Sequence, residues 1–281
     1  IGLKKTRELI ENGNYDIVHC HGSRANLTGA LLKKHFDIPF ISTVHSDYKL
    51  DYLGRPMAAM TYGQLNKMAL RHMDYRVCVS DQMRETLIER GFEPNKLFPI
   101  YNGVDFSRPK PEITRREWFG KIGCDFPEDS IVVGIAARFD AVKDVATTVR
   151  GFAGAAEENE RLRLLIAGDG REREMLESLC EELGVRDKVF FAGWINDGMD
   201  GYYASVDINA ISSLSETFPY AVTEAARAGI PTVASRVGGL PKLIINGETG
   251  MLFNPQDHET MTRCILALAN DEQLRKRLGQ A

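Results

Sequence analysis

The sequence predicts an α/β protein built from two doubly wound parallel-sheet domains. Short apolar runs of strand length alternate with longer amphipathic runs of helix length along most of the chain, the pattern of βαβ units. One Pro-rich passage, Arg108-Pro109-Lys110-Pro111, interrupts that alternation and reads as a linker. The apolar runs end on residues such as His21, His45, Arg138 and Gly168, where an open parallel sheet binds its ligands.

Leu3, Leu9 and Ile10 among charged residues predict a helix over 3–12, ended by Gly13. Residues 16–20 read as a short buried strand before His21-Gly22-Ser23, and a helix follows over 24–35. A strand at 39–44 ends on His45-Ser46-Asp47; a long helix over 55–73 leads to a strand at 75–79, and Ser80-Asp81 starts a helix. Asn102-Gly103-Val104-Asp105 is a turn signal opening the linker, so the domains are expected at 1–107 and 108–281. A polar helix is expected near 113–121. Strands at 131–136 and 162–167 precede helices over 144–157 and 171–183. Further strands are expected at 189–191, 206–210, 231–234 and 251–253, the last after the turn Asn246-Gly247-Glu248-Thr249-Gly250 and before a helix over 257–269.

With 281 residues, 43% hydrophobic and 26% charged, the chain suits two soluble domains. Its formal charge of −4 gives no support to a nucleic-acid partner. No apolar run approaches the roughly 18 residues that span a bilayer, and there is no signal-peptide pattern. Cys20, Cys78, Cys124, Cys180 and Cys264 are scattered without metal-ligand spacing and read as small core residues of a reducing cytoplasm. The chain opens at Ile1 within a helical pattern and stops at Ala281 within another, which suggests a fragment.

Residues 211–235 organise the candidate chemistry. They read as a strand end, a loop with Glu216, a helix with Glu224, and Gly229-Ile230-Pro231 turning into a new strand. Pro219 sits where the first helical turn should begin, so the N–H groups of Tyr220, Ala221 and Val222 are expected unpaired at a helix start, an anion site. A phosphate there and hydroxyls on the two carboxylates would suit a sugar nucleotide. Glu216 and Glu224 also fit a hydrolytic acid/base pair or a plain surface helix, but both lie on one local element. Arg138 and Lys143 place two cations at one strand–helix junction, suited to a diphosphate or simply solvated. Gly168-Asp169-Gly170 reads first as a turn. His21 and His45 stand at strand ends where an imidazole can orient a substrate. His19 reads as a packed core residue, and His35, His72 and His258 as solvated helix faces. Lys33-Lys34-His35 and the stretch 67–72 are modest basic patches, read as solvated faces with membrane contact left open.

The Glu216-x7-Glu224 spacing resembles the signature of retaining glycosyltransferases of family four, which have the GT-B fold of two Rossmann-like domains facing a cleft. The resemblance rests also on Ser215-Glu216-Thr217-Phe218-Pro219, on Glu224-Ala225-Ala226-Arg227-Ala228-Gly229-Ile230-Pro231, and on Gly238-Gly239-Leu240-Pro241 with Asn246-Gly247-Glu248-Thr249-Gly250. Arg138 and Lys143 match the R-x4-K motif, Asn102-Gly103-Val104-Asp105 the linker junction, and Thr43-Val44-His45 the acceptor-domain histidine. The match covers about residues 15–270.

The resemblance implies a metal-independent hexosyltransferase, without cofactor, that uses a UDP- or GDP-linked sugar and a glycan, lipid or small-molecule acceptor. It implies a cytoplasmic enzyme of cell-envelope polysaccharide synthesis, with peripheral contact at the inner face of the membrane as a further expectation. Arg138 and Lys143 would hold the diphosphate, Glu216 the transferred sugar and Glu224 the ribose. Gly168, Trp194, Ile195, Phe218, Pro219, Tyr220, Ala221 and Val222 would complete the donor site. His45 would act near the reacting carbon, with His21 and Ser46 on the acceptor side. The family's usual opening strand with its Gly-rich loop, and its closing helix, have no counterpart here, so the N-terminal domain is expected to be incomplete. A nucleotide-sugar epimerase and a nucleotide-binding fragment without activity are the other readings. No GxGxxG follows a strand with an acidic residue beyond it, which disfavours an NAD enzyme.

Overall fold

The run Ile-Val-Val-Gly-Ile-Ala at 131–136 has no polar alternate positions, so a strand made from it needs cover on both faces. The computed structural model, which describes residues 2–51, 53–105, 107 and 112–281, gives it that cover. Numbered along the chain, β1 (Val18–His21), β2 (Phe40–Val44), β3 (Tyr75–Cys78) and β4 (Leu97–Pro99) form one parallel sheet in that order. β5 (Ile131–Ala136), β6 (Leu162–Ala167), β7 (Val189–Gly193), β8 (Ile208–Ile211), β9 (Thr232–Ser235) and β10 (Gly250–Phe253) form a second, in the order β10-β9-β8-β5-β6-β7. The chain divides into two units, Ile1–Gly103 and Val104–Ala281, each with one sheet. The division falls inside the turn Asn102-Gly103-Val104-Asp105; Arg108-Pro109-Lys110-Pro111 lies outside the described residues.

In the larger unit the strands step outward from β5 to β7, return to the other side of β5 with β8, and step outward again to β10. This reversal puts helices on both faces. Ile131, Val133 and Ile135 pack into one core with Phe152 of α7 (Val145–Glu158), Leu176 of α8 (Arg173–Glu182) and Ile265 of α12 (His258–Asn270). Val132 and Leu165 pack on the opposite side with Trp118 of α6 (Arg115–Ile122), Tyr202 of α9 (Met199–Ser205) and Ala225 of α10 (Tyr220–Ala228). The short α11 (Leu240–Leu243) and the final α13 (Glu272–Gln280) complete the unit.

The smaller unit has no reversal. Each crossover moves one strand further in the same direction, which places right-handed connections on one face of the sheet. That face carries Cys20, Phe40, Cys78 and Leu97, under α2 (Ser23–Leu32), α4 (Gln64–His72) and α5 (Asp81–Glu89). Of the alternate positions, on the other face, His19, His21, Tyr75 and Phe98 are exposed, Ile41 and Val77 half-buried and Thr43 buried. His19 is therefore a surface residue, not the core residue expected from its place within an apolar strand. Arg76, 3% exposed, is a buried charge of this unit. It donates to the carbonyls of Leu70, Arg71 and Met73 at 2.7–2.9 Å, satisfying the end of α4, and lies 5.4 Å from the Phe92 ring centre.

The helix expected over 55–73 forms as one continuous run over 56–72 with a π-helical turn inside it. A short turn α3 (Pro56–Ala58) runs into a π-helical turn at Ala59–Gly63 before α4. Strand β4 and helices α9 and α11 were not anticipated; none is longer than seven residues, too short to show a period. α1 (Leu3–Asn12) forms as expected, and among the cysteines only Cys264 is not fully buried.

Arg76→Met would remove three hydrogen bonds to carbonyls at the end of α4 in an apolar setting, a loss of about 2–4 kcal/mol. Urea unfolding followed by amide exchange should show that loss for the smaller unit and an unchanged transition for the larger one.

Candidate functional site

The reversal between β5 and β8 brings two strand ends together, and the loops beyond them are stitched side by side. After β5, the Asp140 carboxylate accepts from the Val142 and Lys143 N–H groups (both 3.2 Å), shaping a tight turn into α7. After β8, Ser212 Oγ donates to the Asp144 carbonyl (2.7 Å) and accepts from Thr148 Oγ1 (2.9 Å), while Leu214 N–H donates to the Val142 carbonyl (2.7 Å). Lys143 Nζ then reaches Glu216 Oε1 at 2.6 Å, and Ser213 Oγ donates to the same oxygen at 2.7 Å. The Glu216 side chain is 10% exposed and that of Lys143 24%, so each charge depends on the other for neutralisation.

A third loop backs this pair. Gly239 N–H donates to the Glu216 carbonyl at 3.1 Å, and Ser235 Oγ to the Ser213 carbonyl at 2.6 Å. Gly238 has φ +49° and lies so close that a Cβ there would overlap the Glu216 carbonyl oxygen. Gly168, φ +133°, directly follows β6, and a Cβ there would overlap the Ala137 carbonyl oxygen. Both glycines let backbone meet backbone at strand ends.

Two adjoining cavities open here, sharing Ala136 and Met199. The smaller, about 180 Å³, is lined by Arg138, Gly168, Trp194 and Ile195. The larger, about 460 Å³, is lined by Asn196, Asp200, Tyr203, Tyr220, Ala221 and Glu224. Arg138 is 62% exposed and pairs with Asp140 at 3.0 Å. Pro219 is the residue capping α10, one position before the helix rather than within its first turn, and no side chain caps that start. Val222 departs from expectation: its N–H donates to the Pro219 carbonyl (3.2 Å), and its side chain is buried with Ile211 and Leu240. Phe218 lies half-buried in the loop before Pro219.

Sequence reasoning missed the support of Glu224. Arg227, with its side chain 8% exposed, donates from Nε to Glu224 Oε2 at 3.0 Å and from Nη2 to Asp200 Oδ1 at 2.9 Å. The i,i+3 spacing of Glu224 and Arg227 was a usable signal; nothing marked Asp200, which comes from a helix not foreseen.

In the smaller unit, His21 Nδ1 and His45 Nε2 share a hydrogen bond of 2.9 Å. The His19 ring is centred 4.2 Å from that of His21, and His19 Nε2 bonds Thr43 Oγ1 at 2.8 Å. Ser46 Oγ donates to Asp51 at 2.9 Å. Desolvation and then the neighbouring imidazoles hold His19 and His45 below the ordinary value of 6.5. Among the described residues no set of three His, Cys, Asp or Glu side chains is placed to hold a metal ion.

Residues 117–281 match the family model of glycosyl transferases group 1, and residues 2–108 that of glycosyltransferase family 4. The chain belongs to the group 1 glycosyl transferases. An uncharacterized glycosyltransferase of Methanocaldococcus jannaschii is 29% identical over 92% of this chain and 67% of its own length. A D-inositol 3-phosphate glycosyltransferase of Corynebacterium jeikeium is 27% identical over 96% of this chain and 68% of its own. The chain thus spans about two thirds of the length of these curated relatives. Anabaena HepE, solved in complex with UDP-glucose, superposes with a TM-score of 0.86 at 20% identity, covering 99% of this chain and 74% of that one. The fold is GT-B.

Gly238→Ala and Gly247→Ala form a matched pair. Both positions have positive φ, but nothing lies within 4 Å of a Cβ at Gly247. Gly247→Ala should cost about 1–2 kcal/mol in urea unfolding, the left-handed penalty alone. Gly238→Ala should cost about 1 kcal/mol or more beyond that. The two histidines give a pH test. Because their folded values lie below 6.5, the unfolded chain binds more protons just under that pH, and stability falls as pH falls through this window. Between about pH 7.5 and 5.5, His45→Gln should reduce the pH dependence of the urea midpoint relative to the parent chain.

Proposed function

We propose that the chain carries the donor chemistry of a retaining, metal-independent hexosyltransferase that takes its sugar from a nucleoside diphosphate. The observation that carries this reading is the Lys143–Glu216 pair at the strand reversal, beside the uncapped start of α10. A leaving diphosphate needs positive charge fixed in advance. Lys143, Arg138 and the first amides of α10 offer it from a rigid frame. As the diphosphate arrives, Lys143 can turn from Glu216 towards phosphate, and Glu216 then accepts hydrogen bonds from the sugar hydroxyls. Glu224, oriented by Arg227, would receive the ribose in the larger cavity, and Trp194-Ile195 would border the base. With Ser213 Oγ still donating to Glu216 Oε1, we assign Glu216 a binding role, not that of a covalent nucleophile. Configuration would be retained by attack on the face the diphosphate leaves. Acceptor selection falls to the smaller unit, with His21, His45 and Ser46 as its candidates. That relatives are named for sugar transfer to inositol phosphate, and that HepE binds UDP-glucose, supports the substrate class.

The test is calorimetric titration of the chain with UDP, GDP and ADP in the presence of EDTA. One nucleotide should bind well above the others. Lys143→Ala should weaken that binding by about tenfold or more, the scale of one charge-assisted contact. Arg138→Ala with Glu216→Ala should remove it. A double variant that binds as the parent does overturns the site. For a chain that transfers, proton NMR of the product should show the anomeric configuration of the donor.

A further inference from the structure

Among the described residues three that are not glycine have a left-handed backbone: Asn14, Asp144 and Gln256. Asn14 and Gln256 lie exposed in turns, where Asn and other polar residues take up this conformation at little cost. Asp144 is half-buried, the single residue between the turn shaped by Asp140 and the first turn of α7. Its φ of 44° and ψ of 50° are not those of an ordinary helix cap, which is extended. Asp257 and Asp271, which cap α12 and α13, have negative φ and accept from amides of the first turn. Asp144 caps no amide of α7; its Oδ2 accepts from Thr147 Oγ1 at 2.7 Å.

A strained residue persists only where its surroundings fix it. Here it is fixed from both sides. The Asp144 N–H donates back to the Asp140 carbonyl at 3.3 Å, while its own carbonyl accepts from Thr147 N–H at 3.1 Å and from Ser212 Oγ at 2.7 Å. Ser212, wholly buried after β8, also lies 3.2 Å from the Lys143 carbonyl, so the peptide group between Lys143 and Asp144 is held in place. That peptide group helps set the direction in which the Lys143 side chain leaves the backbone. With it fixed, Lys143 Nζ meets Glu216 Oε1 at 2.6 Å. A right-handed or extended Asp144 would turn the group away from Ser212 and swing the base of the Lys143 side chain with it.

We infer that Asp144 is a positioning residue for Lys143: its left-handed turn aims the ammonium at the place where the donor's diphosphate is received. The inference rests on the reading of Lys143 as a phosphate contact and adds the backbone device that aims it. Aspartate suits the position because its short polar side chain tolerates this region and bonds locally, as it does to Thr147. Glycine would accept the same turn without strain. A β-branched residue would be driven out of it.

Calorimetric titration with UDP, GDP and ADP, followed with whichever the parent chain binds best, tests the inference. Asp144→Val should weaken binding about tenfold, the scale of the Lys143 contact itself. In a chain that already carries Lys143→Ala it should weaken binding no further, because the contact it misaligns is gone. Asp144→Gly should recover the parental affinity. Gln256→Val creates the same backbone conflict in the turn before α12 and should lower the urea midpoint without changing affinity. The urea midpoint of each variant checks its fold, and Asp144→Ala, a milder conflict, repeats the comparison if the valine variant does not fold. Parental affinity in Asp144→Val, an equal loss in Asp144→Gly, or losses that add in full on Lys143→Ala each overturn the inference and leave the donor site standing. A Lys143→Ala chain that binds as the parent does, or a parent that binds none of the three, removes the phosphate reading and the inference with it.

Discussion

The ion pair between Lys143 and Glu216 is the constraint around which the larger unit is arranged. Two partly buried charges, 2.6 Å apart, come from loops following different strands and neutralise one another. They meet only because β8 lies against β5, and that adjacency exists only in the reversed strand order. The surrounding bonds have the same purpose. Ser212, Ser213, Ser235 and Gly239 fix the loop backbones so that the side chains meet without searching. The two cavities are lined by residues that follow β5, β6 and β7 and by the start of α10, among them Arg138, Gly168, Trp194 and Tyr220.

Much of this was legible in the residues. An apolar run of six positions marked β5, because burial on both faces leaves no room for polar alternates. Glu216, Glu224, Arg138 and Lys143 were legible from spacing combined with family resemblance. What was not legible has physical reasons. His19 sits in an apolar strand, yet its exposure depends on which face of the sheet the helices cover, a property of strand order that no local window contains. Asp200 supports Glu224 through Arg227 from a helix of seven residues with no periodic signal. Val222 was expected to offer its N–H at the helix start, but the first turn closes back on the Pro219 carbonyl. Gly238 and Gly168 were visible as glycines; that each accommodates a particular carbonyl oxygen required three dimensions.

The two sheets also answer differently to the same sequence grammar. In the larger unit both faces are packed, and the chemistry gathers at one end. In the smaller unit one face is packed, so its imidazoles, Tyr75 and Phe98 stand on the open side while its helices turn an apolar and cationic surface outward. Among the described residues the two most exposed large apolar side chains, Met57 and Met60, belong to this unit.

The strand orders carry a consequence for how the chain reaches its native state. In the smaller unit every strand pairs with the next in sequence, as Cys20 with Ser42 and Ser42 with Arg76, so each loop closed is short. In the larger unit β5 gains one neighbour at once, but its other edge waits for β8, where Val133 meets Ile208. Closing that long loop is entropically slower. Chain growth and refolding should therefore be asynchronous, with the first sheet ordered while the reversal in the second, and the ion pair that depends on it, is still unformed.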